Sequence, residues 1–181
     1  MTKARATLLN SETVYHGSVF DVRRDAIIEP SGIRATRDVV IHPGSVVVLP
    51  VFPDGRVLLI RQFRYSAGDY LWELVAGRID SGETPLSAAR RELLEETGYT
   101  ARRIRKMLEV FPTPGFVSER MWIFAAAQLS AGAAHPEEDE KIEPRAFTLA
   151  QVDSMIRRGI LRDAKSIAGL LYFMRYLSPK K

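Results

Sequence analysis

Residues 77–98 read GRIDSGETPLSAARRELLEETG, a stretch with glycines at both ends and three glutamates close together. Thr84 is a suitable N-cap for a helix, Pro85 suits the first helical position, and Gly98 suits the end. At about 100° per residue, such a helix directs an apolar stripe inward and gathers three glutamates on a neighbouring face. The stripe consists of Leu86, Ala89, Leu93 and Thr97, and the acidic face of Glu92, Glu95 and Glu96.

The acidic face has two interpretations. Like charges three or four residues apart cost roughly 0.2–0.5 kcal/mol per pair, which a solvated surface helix tolerates. Arg91 is also placed to relieve Glu95 across one helical turn. The alternative is a metal site, because a Gly-punctuated loop ending in Glu83 precedes the helix and clustered carboxylates suit Mg²⁺ or Mn²⁺.

The spacing of these residues is specific. Gly77, five residues, Glu83, seven residues and then RELLEETG at 91–98 match every fixed position of the pattern GX5EX7REUXEEXGU. The stretch therefore resembles the Nudix box. The one departure is Tyr99, where the pattern prefers an aliphatic residue, although tyrosine can also pack in apolar surroundings. The flanking strands and the end helices also fit the family, so the resemblance covers nearly the whole chain.

The resemblance implies an enzyme that hydrolyses a nucleoside diphosphate linked to another group. Mg²⁺, with Mn²⁺ as a substitute, would be held by Glu92 and Glu96 with help from Glu95 and the carbonyl of Ala76. Bound metal neutralises diphosphate charge and lowers the pKa of a bound water. Arg91 would orient the glutamates through a salt bridge. The structural positions of the box are Gly77, Glu83 and Gly98.

Sequence outside the box indicates the substrate. Residues 111–119 read FPTPGFVSE, with Pro114 fifteen positions beyond Tyr99, and resemble the ADP-ribose pyrophosphatase branch of the family. Residues 61–65 (RQFRY) and 71–74 (LWEL) are also similar to that branch. The resemblance implies cleavage of ADP-ribose to AMP and ribose 5-phosphate. The substrate-binding candidates are Arg64, whose guanidinium suits phosphate, and Glu73, Phe116 and Glu119.

The resemblance to this branch also implies that an acidic residue from a late loop acts as the general base. Residues 135–142 read HPEEDEKI, and a base must lie within hydrogen-bond reach of the attacking water, directly or through a second water. Glu140 best fits the acidic-X-Ile pattern of the branch, and Glu138 is the second choice. A solvated acidic loop is the alternative interpretation.

The fold that we expect is α/β of the α+β type. Strands and helices do not alternate regularly, which argues against a doubly wound parallel sheet. The pattern favours a mixed β-sheet with helices on its faces, and the resemblance implies a Nudix fold in which such a sheet lies between helices. We expect residues 1–42 to form an N-terminal antiparallel β region, which the resemblance implies is used for dimerisation, and residues 43–181 to form the hydrolase domain. The strands expected near the box are 71–75, 104–110 and 121–127, and the later helices begin at Thr148 and Asp163.

The composition of the chain limits the classes of partner that we expect. The net charge is +4, there is no cysteine, and no apolar run approaches the length of a membrane span. We therefore expect a cytoplasmic protein without a membrane or nucleic-acid partner. The resemblance implies that its partner is a small-molecule nucleoside diphosphate sugar. A solvated strand face is the favoured interpretation of the basic cluster at 102–106. The resemblance also implies a homodimer.

Two alternatives to ADP-ribose hydrolysis stay open. One is a pyrophosphatase for another sugar nucleotide, such as GDP-mannose, or for a damaged nucleotide. The other is a non-catalytic domain that senses ADP-ribose as a transcriptional regulator. The intact glutamate set, Glu92, Glu95 and Glu96, argues against the sensor.

Overall fold

The computed structural model describes residues 5–132 and 141–178. The chain divides into two compact units, one containing Met1–Gly44 and Phe111–Arg120 and the other Ser45–Val110 and Met121–Lys181. The predicted domain boundary between residues 42 and 43 stays a prediction. None of the helices in the described ranges is long and apolar enough to cross a bilayer.

The first unit contains an antiparallel three-stranded sheet. Its strands are β1 (Thr7–His16), β2 (Asp21–Ile28) and β3 (Arg34–Ile41), with β2 in the centre. The turn between β2 and β3 contains Gly32 at φ 87°, a backbone conformation that favours glycine. The segment 111–120 joins β3, because Val40 donates its backbone N–H to the carbonyl of Phe116 at 2.8 Å. The predicted N-terminal antiparallel region is thus confirmed.

The second unit contains two sheets and three helices. A four-stranded mixed sheet has the order β7-β4-β9-β8, in which β4 and β9 run parallel. An antiparallel sheet has the order β10-β5-β6. The bounds are β4 Ser45–Pro50, β5 Val57–Arg64, β6 Asp69–Glu73, β7 Val75–Arg78, β8 Tyr99–Val110, β9 Met121–Ala131, β10 Glu143–Phe147, α1 Pro85–Thr97, α2 Leu149–Arg157 and α3 Ala164–Tyr176.

Strand β4 organises the core because all six of its residues are buried. Val46 and Val48 pack in the cluster that includes Leu93 of α1. Val47 and Leu49 point to the opposite side, into the cluster that includes residues of α2 and α3. Apolar side chains on both faces of a strand require a covering layer on each side. The predicted mixed sheet between helices is therefore confirmed.

Several strands differ from the sequence prediction. The expected strand 71–75 is two strands in different sheets, since β6 ends at Glu73 and β7 begins at Val75. Strand β8 begins at Tyr99, earlier than expected, and β10 was not predicted. Both missed stretches are largely exposed and rich in charged residues, so their strand conformation depends on pairing with β9 and β5 rather than on local pattern.

Candidate active site

Helix α1 has the ends that the sequence predicts. The Thr84 hydroxyl accepts a hydrogen bond from the backbone N–H of Ser87 at 3.2 Å, and the Ser87 hydroxyl accepts one from the N–H of Thr84 at 2.9 Å. This reciprocal pair is a capping box. Gly98 ends the helix in the left-handed conformation, with φ 71°. The cap and the stop fix where the glutamates of the helix lie along its axis.

The buried face of α1 differs from the predicted apolar stripe. Leu86 is 42% exposed, so its assignment to the inward stripe is wrong. Two adjacent rows at spacing four are buried instead, one of Ala89, Leu93 and Thr97 and one of Ala88, Glu92 and Glu96. The second row brings two carboxylates inside the protein, which an ordinary solvated helix does not do.

The absence of a side chain at Gly77 of strand β7 leaves space for the buried carboxyl group of Glu92. A Cβ atom built on Gly77 would lie 2.0 Å from the carboxyl group of Glu92. The Gly77 backbone does not adopt a positive φ, so glycine is needed here for room rather than for conformation. The N–H of Ala76 donates to Glu96 Oε2 at 3.3 Å. Two residues of β7 thus face two glutamates of α1.

Arg91 connects the loop to the helix. Its Nη1 lies 2.7 Å from Glu92 Oε1 and 3.0 Å from Glu95 Oε2. Its Nη2 donates to Glu83 Oε2 and to the carbonyl of Arg78, both at 2.9 Å. The hydrogen bonds from Arg91 hold the pKa of Glu83 below its ordinary value, and those glutamates raise the pKa of Arg91. One guanidinium therefore orients three carboxylates of the box.

The donor set fits a hard divalent cation. Mg²⁺ binds oxygen ligands and keeps several waters, so one or two protein carboxylates together with substrate phosphates suffice. Glu92 and Glu96 are the two buried carboxylates of the row, and Ala76 carries the carbonyl that the sequence predicts as a further ligand. Within the described ranges, no three acidic or histidine side chains already form a complete cage. Two buried carboxylates suit an ion whose other ligands are water and substrate oxygens.

Arg64 and Glu73 lie together in the second unit. Arg64 Nε and Nη2 contact the two carboxylate oxygens of Glu73, each at 2.8 Å, and Lys165 Nζ donates to the same carboxylate. Glu73 is 1% exposed. Burial disfavours its charged form, but the hydrogen bonds and charges of Arg64 and Lys165 outweigh this effect and lower the pKa of Glu73. The carboxylate therefore stays ionised inside the protein.

The remaining substrate-binding candidates lie in the first unit. Phe116 is 56% exposed on the segment that joins β3. Glu119 Oε1 lies 3.7 Å from His42 Nδ1, and the Ser118 hydroxyl accepts a hydrogen bond from the N–H of His42 at 3.0 Å. Both residues keep the substrate role as a prediction.

The two candidate bases, Glu140 and Glu138, fall outside the described residues. Their catalytic role stays a prediction, which the kcat of a Glu140→Gln variant tests. Three other residues escaped the sequence reasoning, since nothing near the box indicates them: Lys165, Ser166 and the Asp163 side chain that contacts both. Asp163 itself was expected as a helix start, and its carboxylate does accept from the N–H of Ser166 at 3.0 Å.

Comparisons with known proteins agree with this geometry. The family model described as NUDIX domain matches residues 41–170. The chain is 34% identical over 172 residues to an ADP-ribose pyrophosphatase of Bacillus subtilis (strain 168), covering 94% of this chain and 91% of that one. It is 31% identical over 180 residues to a GDP-mannose pyrophosphatase of Yersinia pestis (strain Pestoides F), covering 91% and 86%. A crystal structure of an ADP compounds hydrolase superposes with a TM-score of 0.83 at 25% identity, covering 98% of this chain and 96% of that chain.

Proposed function

The chain belongs to the Nudix family and is a Nudix hydrolase, and we propose that it cleaves the diphosphate bond of ADP-ribose with Mg²⁺ as cofactor. Water adds to one phosphorus and the P–O–P bridge breaks, which yields AMP and ribose 5-phosphate. The observation that carries the proposal is the buried row of Glu92 and Glu96 against Gly77. The likeness to the Bacillus subtilis ADP-ribose pyrophosphatase over most of both chains supports the choice of substrate.

Each residue of the site has a proposed task. Glu92 and Glu96 would hold Mg²⁺, which when bound neutralises diphosphate charge and lowers the pKa of a coordinated water. Arg91 keeps Glu92 and Glu95 in their orientations through the contacts described above. Arg64 meets a phosphate of the substrate, since a guanidinium forms paired hydrogen bonds with phosphate oxygens.

A panel of nucleoside diphosphate compounds tests the substrate. We expect ADP-ribose to be among the substrates with the highest kcat/KM in the presence of Mg²⁺, and turnover to disappear when EDTA removes the ion. Liquid chromatography of the products should show AMP and ribose 5-phosphate in equal amounts. If ADP-ribose were turned over poorly and another compound of the panel efficiently, ADP-ribose would be refuted as the substrate, whereas the family assignment would be unaffected.

GDP-mannose is the second candidate substrate. The 31% identity to the Yersinia pestis GDP-mannose pyrophosphatase favours it over other sugar nucleotides. The same active-site residues would serve, because the scissile bond is also a diphosphate bridge. The panel separates the candidates through the ratio of the two kcat/KM values.

We also propose that the chain acts as a homodimer. Strand β1 lies at the edge of its sheet and is exposed at all ten positions, including Leu8 at 55% and Leu9 at 51%. An exposed edge strand with apolar side chains is a surface that a second chain can cover. Sedimentation velocity should give about twice the 20.4 kDa of one chain, and a Leu9→Asp variant should sediment as a monomer. A monomeric wild-type protein at assay concentration would contradict the dimer.

A further inference from the structure

The buried carboxylate of Glu73 is outside the metal site, yet it is among the most completely enclosed charges of the second unit. It lies at the end of β6 and contacts two cations from two other elements, Arg64 of β5 and Lys165 of α3. Removing a carboxylate from water costs several kcal/mol unless partners compensate. Here both carboxylate oxygens accept from cations, so the charge is satisfied by the protein itself.

The N-cap and the first turn of α3 also hold the Glu73 carboxylate in place. Lys165 Nζ also contacts Asp163 Oδ1 at 2.9 Å. The second oxygen of Asp163 accepts from the hydroxyl of Ser166 at 2.5 Å, and that hydroxyl accepts from the N–H of Leu74 at 2.7 Å. Since Leu74 follows Glu73 directly, the backbone and the side chain at this point are both tied to α3.

Arg64 is the most exposed of the three charged residues in this network. Its side chain is 35% exposed, whereas those of Lys165 and Glu73 are 14% and 1% exposed. The paired contact with Glu73 uses Nε and Nη2, so Nη1 lies on the edge of the guanidinium that points away from the carboxylate. A free arginine side chain samples many rotamers, and fixing one of them before a ligand arrives reduces the entropy that binding costs.

We propose that Glu73 is a positioning residue, which holds Arg64 in the orientation that receives a phosphate group of the diphosphate substrate. The inference rests on the proposed function for the role of Arg64. It differs from the sequence-based prediction that Glu73 itself binds the substrate, because both Glu73 oxygens already accept hydrogen bonds from Arg64 and Lys165. Lys165 has the matching task of balancing the buried charge, so that Glu73 stays ionised while it orients Arg64.

A double-mutant cycle on inorganic pyrophosphate tests the inference. Calorimetry without divalent metal gives the Kd of pyrophosphate for the wild type, Glu73→Gln, Arg64→Ala and the double variant. We expect Glu73→Gln to raise the Kd about tenfold, equivalent to roughly 1.4 kcal/mol. In the Arg64→Ala background the same substitution should leave the Kd unchanged, because a positioning residue acts only through its partner. A purely structural role would instead move the urea midpoint without this coupling.

Other outcomes overturn the inference. If Glu73→Gln raised the Kd by the same factor in the wild type and in Arg64→Ala, Glu73 would act on the ligand independently of Arg64. A wild-type protein that does not bind pyrophosphate would exclude the proposed role. Arg64→Lys keeps the charge but loses the paired contact, so it should weaken binding almost as much as Arg64→Ala. Wild-type affinity in that variant would overturn the inference even if Glu73→Gln did not fold. Turnover of ADP-ribose by the same wild-type preparation tests the proposed function separately, since its absence beside intact coupling would refute only the function.

Discussion

Glu96→Gln should abolish hydrolysis while the protein stays folded. Glu96 is 4% exposed and lies in the row with Glu92, so the substitution removes one of the two buried carboxylates that we propose as metal ligands. Groups that only orient metal ligands contribute 10–100-fold, and we expect the loss of a ligand to lower kcat by about a hundredfold or more. The amide oxygen of glutamine can still accept from the N–H of Ala76, so packing is retained.

Urea unfolding distinguishes loss of a metal ligand from misfolding of the Glu96→Gln variant. Like charges at spacing four repel by about 0.2–0.5 kcal/mol, so without metal the Glu96→Gln variant should unfold at the same urea concentration or slightly above. Glu109→Gln is the matched control, because Glu109 is exposed and contacts Lys106 on β8. We expect that variant to keep the wild-type kcat. Full activity of Glu96→Gln would refute the metal role of Glu96.

Gly77→Ala should also inactivate the enzyme, through a different cause. The added methyl group would meet the Glu92 carboxyl group at 2.0 Å, and the far end of that side chain must move away from its contact with Arg91. We expect kcat to fall by at least about tenfold, since a small misplacement of a catalytic group can cost a hundredfold. The free energy of unfolding should fall by about 1–3 kcal/mol, as for other overpacked sites.

A second glycine controls for the general effect of a methyl group. Gly55 has φ 82° in the turn before β5, and a Cβ atom there would have nothing within 4 Å. Gly55→Ala should therefore lower stability by about 1–2 kcal/mol through backbone strain, with kcat unchanged. If Gly77→Ala kept wild-type kcat, the close approach of β7 to Glu92 would have no catalytic meaning.

The sequence predicted local features of the site better than its tertiary arrangement. The caps of α1 depend on neighbouring residues, so Thr84 and Gly98 could be assigned from the residue types alone. Leu86 was misassigned because a helical projection assumes that apolar residues face inward. The burial of Glu92 depends on a glycine fifteen residues earlier, which becomes meaningful only when β7 packs beside the helix.

The network around Glu73 could not be predicted from the sequence either, because it also depends on residues that are distant along the chain. Lys165 lies ninety-two residues after Glu73, and nothing in the spacing of the two residues indicates contact. The strand prediction at 71–75 also treated Glu73 as part of a continuous strand, whereas the chain changes sheet between Glu73 and Val75. That change of sheet places the Leu74 N–H against Ser166 rather than in a ladder.

A titration of Mn²⁺ followed by electron paramagnetic resonance tests whether Glu92 and Glu96 bind the metal ion. Free Mn²⁺ gives a strong signal that diminishes on binding, so the Kd can be measured without substrate or turnover. We predict that the wild type and Glu109→Gln bind Mn²⁺ with the same Kd and that Glu96→Gln binds at least about tenfold more weakly. An unchanged Kd in Glu96→Gln would contradict the assignment of the metal site to this row.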